Sequence, residues 1–130
     1  MKGLDTNVLV RLLVADDAAQ AEQALRYVAR NCTADAPCWL NRIVLCELVW
    51  VLDRAYGYGR EEIGKAVESL LRTAQLVAED AEPAWAALRI YRAGGDFADA
   101  LIGRSNQLHG CDATGTFDRQ AARLDGFEIV

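Results

Sequence analysis

The chain has 130 residues, 52% hydrophobic and 25% charged, with only two prolines; this excludes disorder for the bulk of it and leaves room for one domain, residues 1–130. Fourteen Lys plus Arg stand against 19 Asp plus Glu, a net charge of −5, which excludes nucleic-acid binding through a broad basic surface. A local basic rim stays open, because every cation except Lys2 and Lys65 is an arginine, whose guanidinium matches phosphate geometry.

In chain order, Lys2 to Leu4 reads as a short strand running into Asp5, and Asn7 to Val14 as a helix with Val8, Leu9, Leu12 and Leu13 at helical spacing. Asp17 to Val28 is a second amphipathic helix, with Asp16 or Asp17 as its cap. After Pro37, Cys38 to Leu40 is a buried strand and Arg42 to Ala55 a strongly apolar helix that stops at Gly57. Arg60 to Thr73 is helical, Leu76 to Ala78 a strand, and Asp80 and Pro83 mark the start of a helix reaching Arg92. Asp96 to Leu108 is again helix; Cys111 to Ala113 and Glu128 to Val130 read as strands either side of a short helix over 119–124. Strands alternating with helices predict an α/β fold, a parallel sheet covered by helices on both faces.

No apolar run approaches the ~18 residues of a membrane span, and Asp5 and Arg11 break the N-terminal one, so a cytoplasmic protein without membrane contact is expected. The four cysteines form no C-x-x-C pair and His109 is the only histidine. Neither a zinc site nor a disulfide framework is supported, and reduced, packed thiols are the expectation.

In such folds ligands bind beyond the carboxyl ends of the strands, which directs attention to four acids. Asp5 opens D-T-N, where Asp5, Thr6 and Asn7 all offer side chains able to hydrogen-bond or bind a cation; Asp5 is equally placed to cap the first helix. Glu47 is the only charged residue from Ile43 to Leu52, and a buried carboxylate is costly unless paired or cation-bound. Arg54 shares its stripe with Ile43 and Trp50 but lies nearly two turns away, too far for an adjacent pair. Asp96 caps the helix that follows it; Asp99, at the third helical position, has no cation three or four residues away. Asp118 follows a strand, two residues after Thr116, whose hydroxyl can orient a carboxylate or a water. Carboxylates gathered at one edge repel one another, so their convergence implies a hard cation such as Mg²⁺, and with it phosphodiester hydrolysis.

The motifs L-D-T-N-V-L-V-R-L-L at 4–13, C-E-L-V-W-V-L at 46–52, D-F-A-D-A-L-I at 96–102 and T-F-D at 116–118 resemble, in order and spacing, the PIN-domain ribonucleases, particularly the VapC-type toxins of toxin-antitoxin pairs. The resemblance implies a parallel sheet of about five strands. It implies catalytic acids at Asp5, Glu47, Asp99 and Asp118, with Mg²⁺ or Mn²⁺ held by Asp5, Asp99 and Asp118, and Thr116 in support. It further implies an RNA substrate, a homodimer, and a cognate antitoxin covering the acidic groove. Two alternatives stand beside it: a PIN-fold protein-binding module without nuclease activity, and a phospho-accepting receiver-like domain. The second normally needs a lysine after a late strand, where this chain has none.

Overall fold

A computed structural model describes every residue, Met1–Val130, as six α-helices and four three-residue strands. The chain divides into two compact units, Met1–Glu79 and Asp80–Val130. No helix is long and apolar enough to cross a membrane.

In the first unit, β1 (Cys38–Leu40) pairs in parallel with β2 (Leu76–Ala78), Cys38 opposite Leu76 and Leu40 opposite Ala78. The strand expected at Lys2 to Leu4 is only a single parallel bridge from Gly3 to Trp39. It cannot extend further because Asp5 at once caps α1 (Thr6–Leu13), accepting the Thr6 N–H at 2.7 Å. α2 (Ala18–Asn31) is capped by Asp17, whose carboxylate accepts from Gln20 N at 3.0 Å, and runs three residues beyond Val28. Asn41 caps α3 (Arg42–Arg54) through Val44 N at 2.9 Å. Gly57, at φ +65°, then reverses the chain towards α4 (Arg60–Arg72), a left-handed conformation that glycine adopts without a Cβ penalty. Leu9, Leu40, Leu45, Leu48, Leu52, Ile63 and Val67 are fully buried in this unit, each contributing about 1.5–3 kcal/mol by leaving water.

The cysteine expectation is overturned for one pair: Cys32 and Cys38 form a disulfide. Thr33 N–H bonds Ala36 O at 3.1 Å, and the Thr33 hydroxyl accepts from Ala36 N at 3.0 Å. That turn returns the chain from the end of α2 to the start of β1, bringing the two Cα atoms to 5.0 Å. A separation of six residues carries no such signal in the sequence. Cys46 and Cys111 keep free thiols.

In the second unit, α5 (Ala81–Arg92) packs on α6 (Phe97–Leu108); Ala84, Ala87, Leu88 and Leu101 are buried, and Tyr91 and Phe97 meet edge-to-face at 6.2 Å between ring centroids. Parallel β3 (Thr114–Thr116) and β4 (Phe127–Ile129) follow, joined through a 3-10 turn at Ala121–Arg123. The strand expected at Cys111 to Ala113 therefore begins three residues later. Gly110, at φ +85°, and the bond from Cys111 N to Asn106 O spend that segment on closing α6. Pairing starts where Thr114 N meets Gly126 O at 2.7 Å. The helix expected over 119–124 shrinks to the 3-10 turn, and the last strand starts one residue earlier than Glu128. The architecture is mixed α/β as expected, but in place of a five-stranded sheet each unit holds one short parallel pair, the first extended by the Gly3 bridge.

Candidate active site

Asp5 and Glu47, forty-two positions apart in sequence, line one cleft of about 220 Å³ in the first unit, with Thr6, Asn7, Arg11 and Tyr56 among their neighbours. Asp5 is there because the N-cap of α1 ends the bridging segment, Glu47 because α3 presents it. Capping and cleft-lining thus coexist in Asp5. Thr6 is buried, and its hydroxyl oxygen has no hydrogen-bond partner.

The burial argument for Glu47 fails. Its stripe on α3 faces solvent: Glu47 is exposed, with Ile43 72% and Trp50 59% exposed. The core of this unit is instead packed by Val44, Leu45, Leu48, Val49 and Leu52. Glu47 stays a candidate through its place beside Asp5, not through desolvation.

Arg11 is tied into the wall of the same cleft. Its Nε donates to Gln20 Oε1 at 2.6 Å, and its Nη1 to Asp16 Oδ1 at 2.6 Å and to the Tyr56 hydroxyl at 3.4 Å. Tyr56 in turn donates to Asp16 Oδ2 at 3.0 Å. Desolvation works against the Asp16 anion, yet the hydrogen bonds from Tyr56 and Arg11 hold its carboxyl below the ordinary value. Arg42 and Arg104 are engaged by Glu79 at 3.4 Å and by Glu82 at 2.8 Å.

In the second unit Asp96, Asp99 and Asp118 line a cleft of about 590 Å³, together with Gly94, Gly95, Gln120 and Arg123. Asp96 is the N-cap of α6, accepting from Asp99 N at 2.9 Å. Asp118, two residues past the end of β3, accepts from Gln120 N at 2.8 Å and Ala121 N at 3.3 Å. Thr116 supports it through the backbone: its hydroxyl accepts the Asp118 N–H at 3.0 Å. The Asp99 carboxylate has no such donor. Partial burial raises its pKa above the ordinary carboxylate value, and the charges of Asp96 and Asp118 push it further up. His109, by contrast, closes α6, its ring Nδ1 2.9 Å from Ser105 O.

Neither unit closes three or more His, Cys, Asp or Glu side chains around one point as a complete metal cage would. Mg²⁺ requires no cage, since one or two carboxylates and retained waters suffice. The donor set here is entirely hard oxygen. The orphaned Thr6 hydroxyl beside Asp5, and an Asp99 carboxylate without a donor, are what a divalent cation with its water shell would satisfy. The residues present therefore fit such an ion.

Comparison with known proteins gives one family: the sequence model described as PIN domain matches residues 3–127. No curated protein matches the chain.

Proposed function

The chain belongs to the PIN-domain family, whose fold is of nuclease type, and from that premise we propose that it is a divalent-metal-dependent endoribonuclease. The observation that carries this reading is the state of Asp99. A carboxylate that is partly desolvated, lacks a hydrogen-bond donor and faces two like charges destabilises the fold unless a cation is bound there. Asp5 in the first unit, and Asp99 and Asp118 in the second, are the proposed ligands of Mg²⁺ or Mn²⁺, and Glu47 with Asp5 the acids that would hold and deprotonate the attacking water. Thr6 and Asn7 are the proposed supports around Asp5, Thr6 donating its amide to the Asp5 carboxylate; Asp96 and Thr116 fix the backbone of Asp99 and Asp118, the first through the Asp99 amide and the second through the Asp118 amide. When bound, the ion lowers the pKa of its water and offsets the negative charge of the RNA phosphate against an acidic protein.

The order and spacing of the motifs favour the toxin of a toxin-antitoxin pair, acting in the cytoplasm. Its antitoxin and its homodimer partner would use exposed apolar side chains such as Ile43 and Trp50 on α3. The test is cleavage of single-stranded RNA by the purified chain with Mg²⁺ or Mn²⁺, stopped by EDTA, together with growth arrest on expression that the product of the neighbouring gene relieves. A pure chain that leaves RNA intact under both ions overturns the nuclease. Cleavage without any growth effect leaves a housekeeping ribonuclease.

A further inference from the structure

Arg11 sits in the wall shared by two clefts of the first unit, the acidic one containing Asp5 and Glu47 and a second of about 570 Å³ between α1 and α2. Three of its five N–H bonds are spent on Gln20, Asp16 and Tyr56, acceptors drawn from α2, from the segment before it and from the turn after α3. Both N–H bonds of Nη2 have no partner in the protein, although the side chain is only 26% exposed. A guanidinium anchored through Nε and Nη1 keeps Nη2 free to donate to a phosphate oxygen, and its rotamer entropy is already spent. The second cleft differs in chemistry from the first. It contains no acid; its polar lining is the amides of Asn7, Gln20 and Gln23, and Tyr27, 41% exposed, offers a ring at its edge.

We propose that Arg11 grips a phosphate of the RNA strand where the two clefts meet, and that the neighbouring base stacks on Tyr27 with its edge read by Gln23, making this cleft the subsite that sets nucleotide preference. The proposal rests on the ribonuclease reading and adds to it the path of the strand. The acids repel a polyanion, Arg11 is the only cation in either cleft lining, and the neutral amide-lined cleft is where the strand leaves the acids. Amide side chains present both donors and acceptors, as base edges require.

The experiment measures binding of a short fluorescein-labelled single-stranded RNA of mixed sequence to the full chain in EDTA, and steady-state cleavage of the same RNA with Mn²⁺. Arg11→Gln is expected to weaken binding about tenfold and to lower the slope of log affinity against log salt by about 0.7, the value for one phosphate on a single strand. Its loss in cleavage falls on KM rather than on kcat. Tyr27→Ala weakens binding about three- to tenfold with the salt slope unchanged, because stacking carries no charge. Gln23→Ala changes which nucleotide flanks the cut. Arg11→Lys, which keeps the charge and loses the guanidinium anchored by Gln20, Asp16 and Tyr56, covers the case in which Arg11→Gln does not fold: it keeps the slope and raises KM. Wild-type binding and cleavage with KM and slope unmoved in the Arg11 variants overturn the subsite alone. A wild-type chain that neither binds nor cuts RNA overturns the ribonuclease reading, and the subsite with it.

Discussion

Replacing Asp99 by Asn removes one charge and almost nothing else. The side chain keeps its shape, its carboxylate has no hydrogen bond to lose, and the bond that fixes the start of α6 runs from the Asp99 backbone amide to Asp96. Two effects oppose each other. A negative charge in the first turn of a helix is worth about 0.3–1 kcal/mol to the fold, whereas partial desolvation and the charges of Asp96 and Asp118 disfavour it. The raised pKa of Asp99 shows that the second set wins, because a folded protein that prefers the neutral acid is destabilised by ionising it. Asp99 is half-buried and still reaches solvent, so the net gain from Asn is screened to about 1 kcal/mol or less, a rise in Tm of about 1–4 °C at neutral pH.

The sign of the pH dependence follows from the same shift. With the folded pKa above the ordinary 3.8, the penalty is absent below that value and fully present above the folded pKa, so the stability advantage of Asn vanishes in acid and grows as pH rises. Divalent cation acts in the opposite sense. At a hundred times its Kd a bound ion adds about 2.7 kcal/mol to the wild type, and the variant loses most of that together with RNA cleavage. Melts across pH, with and without Mn²⁺, measure both arms on one preparation. A variant that melts below wild type at neutral pH, or that keeps the whole metal-induced rise, refutes the reasoning.

Two further outcomes are expected. Glu47→Gln leaves Tm within about 1 °C, as an exposed substitution does, while cleavage falls at least about a hundredfold; a clear drop in melting temperature would return Glu47 to a structural role. Gly126→Ala costs about 1–2 kcal/mol, because Gly126 holds φ +83°, whereas the Gln107 side-chain amide that an added Cβ would press on can move aside. Its carbonyl accepts the Thr114 amide that opens the β3–β4 pair, so denaturant midpoints should fall with m unchanged, and a midpoint equal to wild type would contradict the left-handed assignment.

How much of this was legible from sequence depended on length. The helices carried several turns of 3.6-residue periodicity and side-chain caps, so α3 and α4 fall within a residue of expectation, Asp96 caps as read, and the structure chooses Asp17 over Asp16. Strands of three residues offer one alternation at most. Cys111 to Ala113 and Thr114 to Thr116 are equally strand-like locally, and the choice between them is made by Gly110 closing α6 and by Phe127 and Ile129 on the partner strand. The disulfide was illegible for the same reason, since only the turn at Thr33 to Ala36 brings Cys32 back to Cys38.

The acids teach a sharper distinction. For Asp99 the absence of a helical cation partner was a statement about the chain's own neighbours on α6, and the structure keeps it: what surrounds the carboxylate is two more acids and no donor. For Glu47 the sequence argument required knowing which face of α3 is buried, and a run from Ile43 to Leu52 that is apolar on every side but for Glu47 hides that. Ile43 and Trp50, on the stripe of Glu47, stand in solvent, while Val44, Leu45, Leu48, Val49 and Leu52 take the interior. An exposed apolar stripe carrying one acid is what a helix displays when that face meets something outside its own fold. Glu47 therefore points to function for a reason opposite to the one the sequence supplied: not a charge trapped in the core, but an acid held beside Asp5 on a face left uncovered.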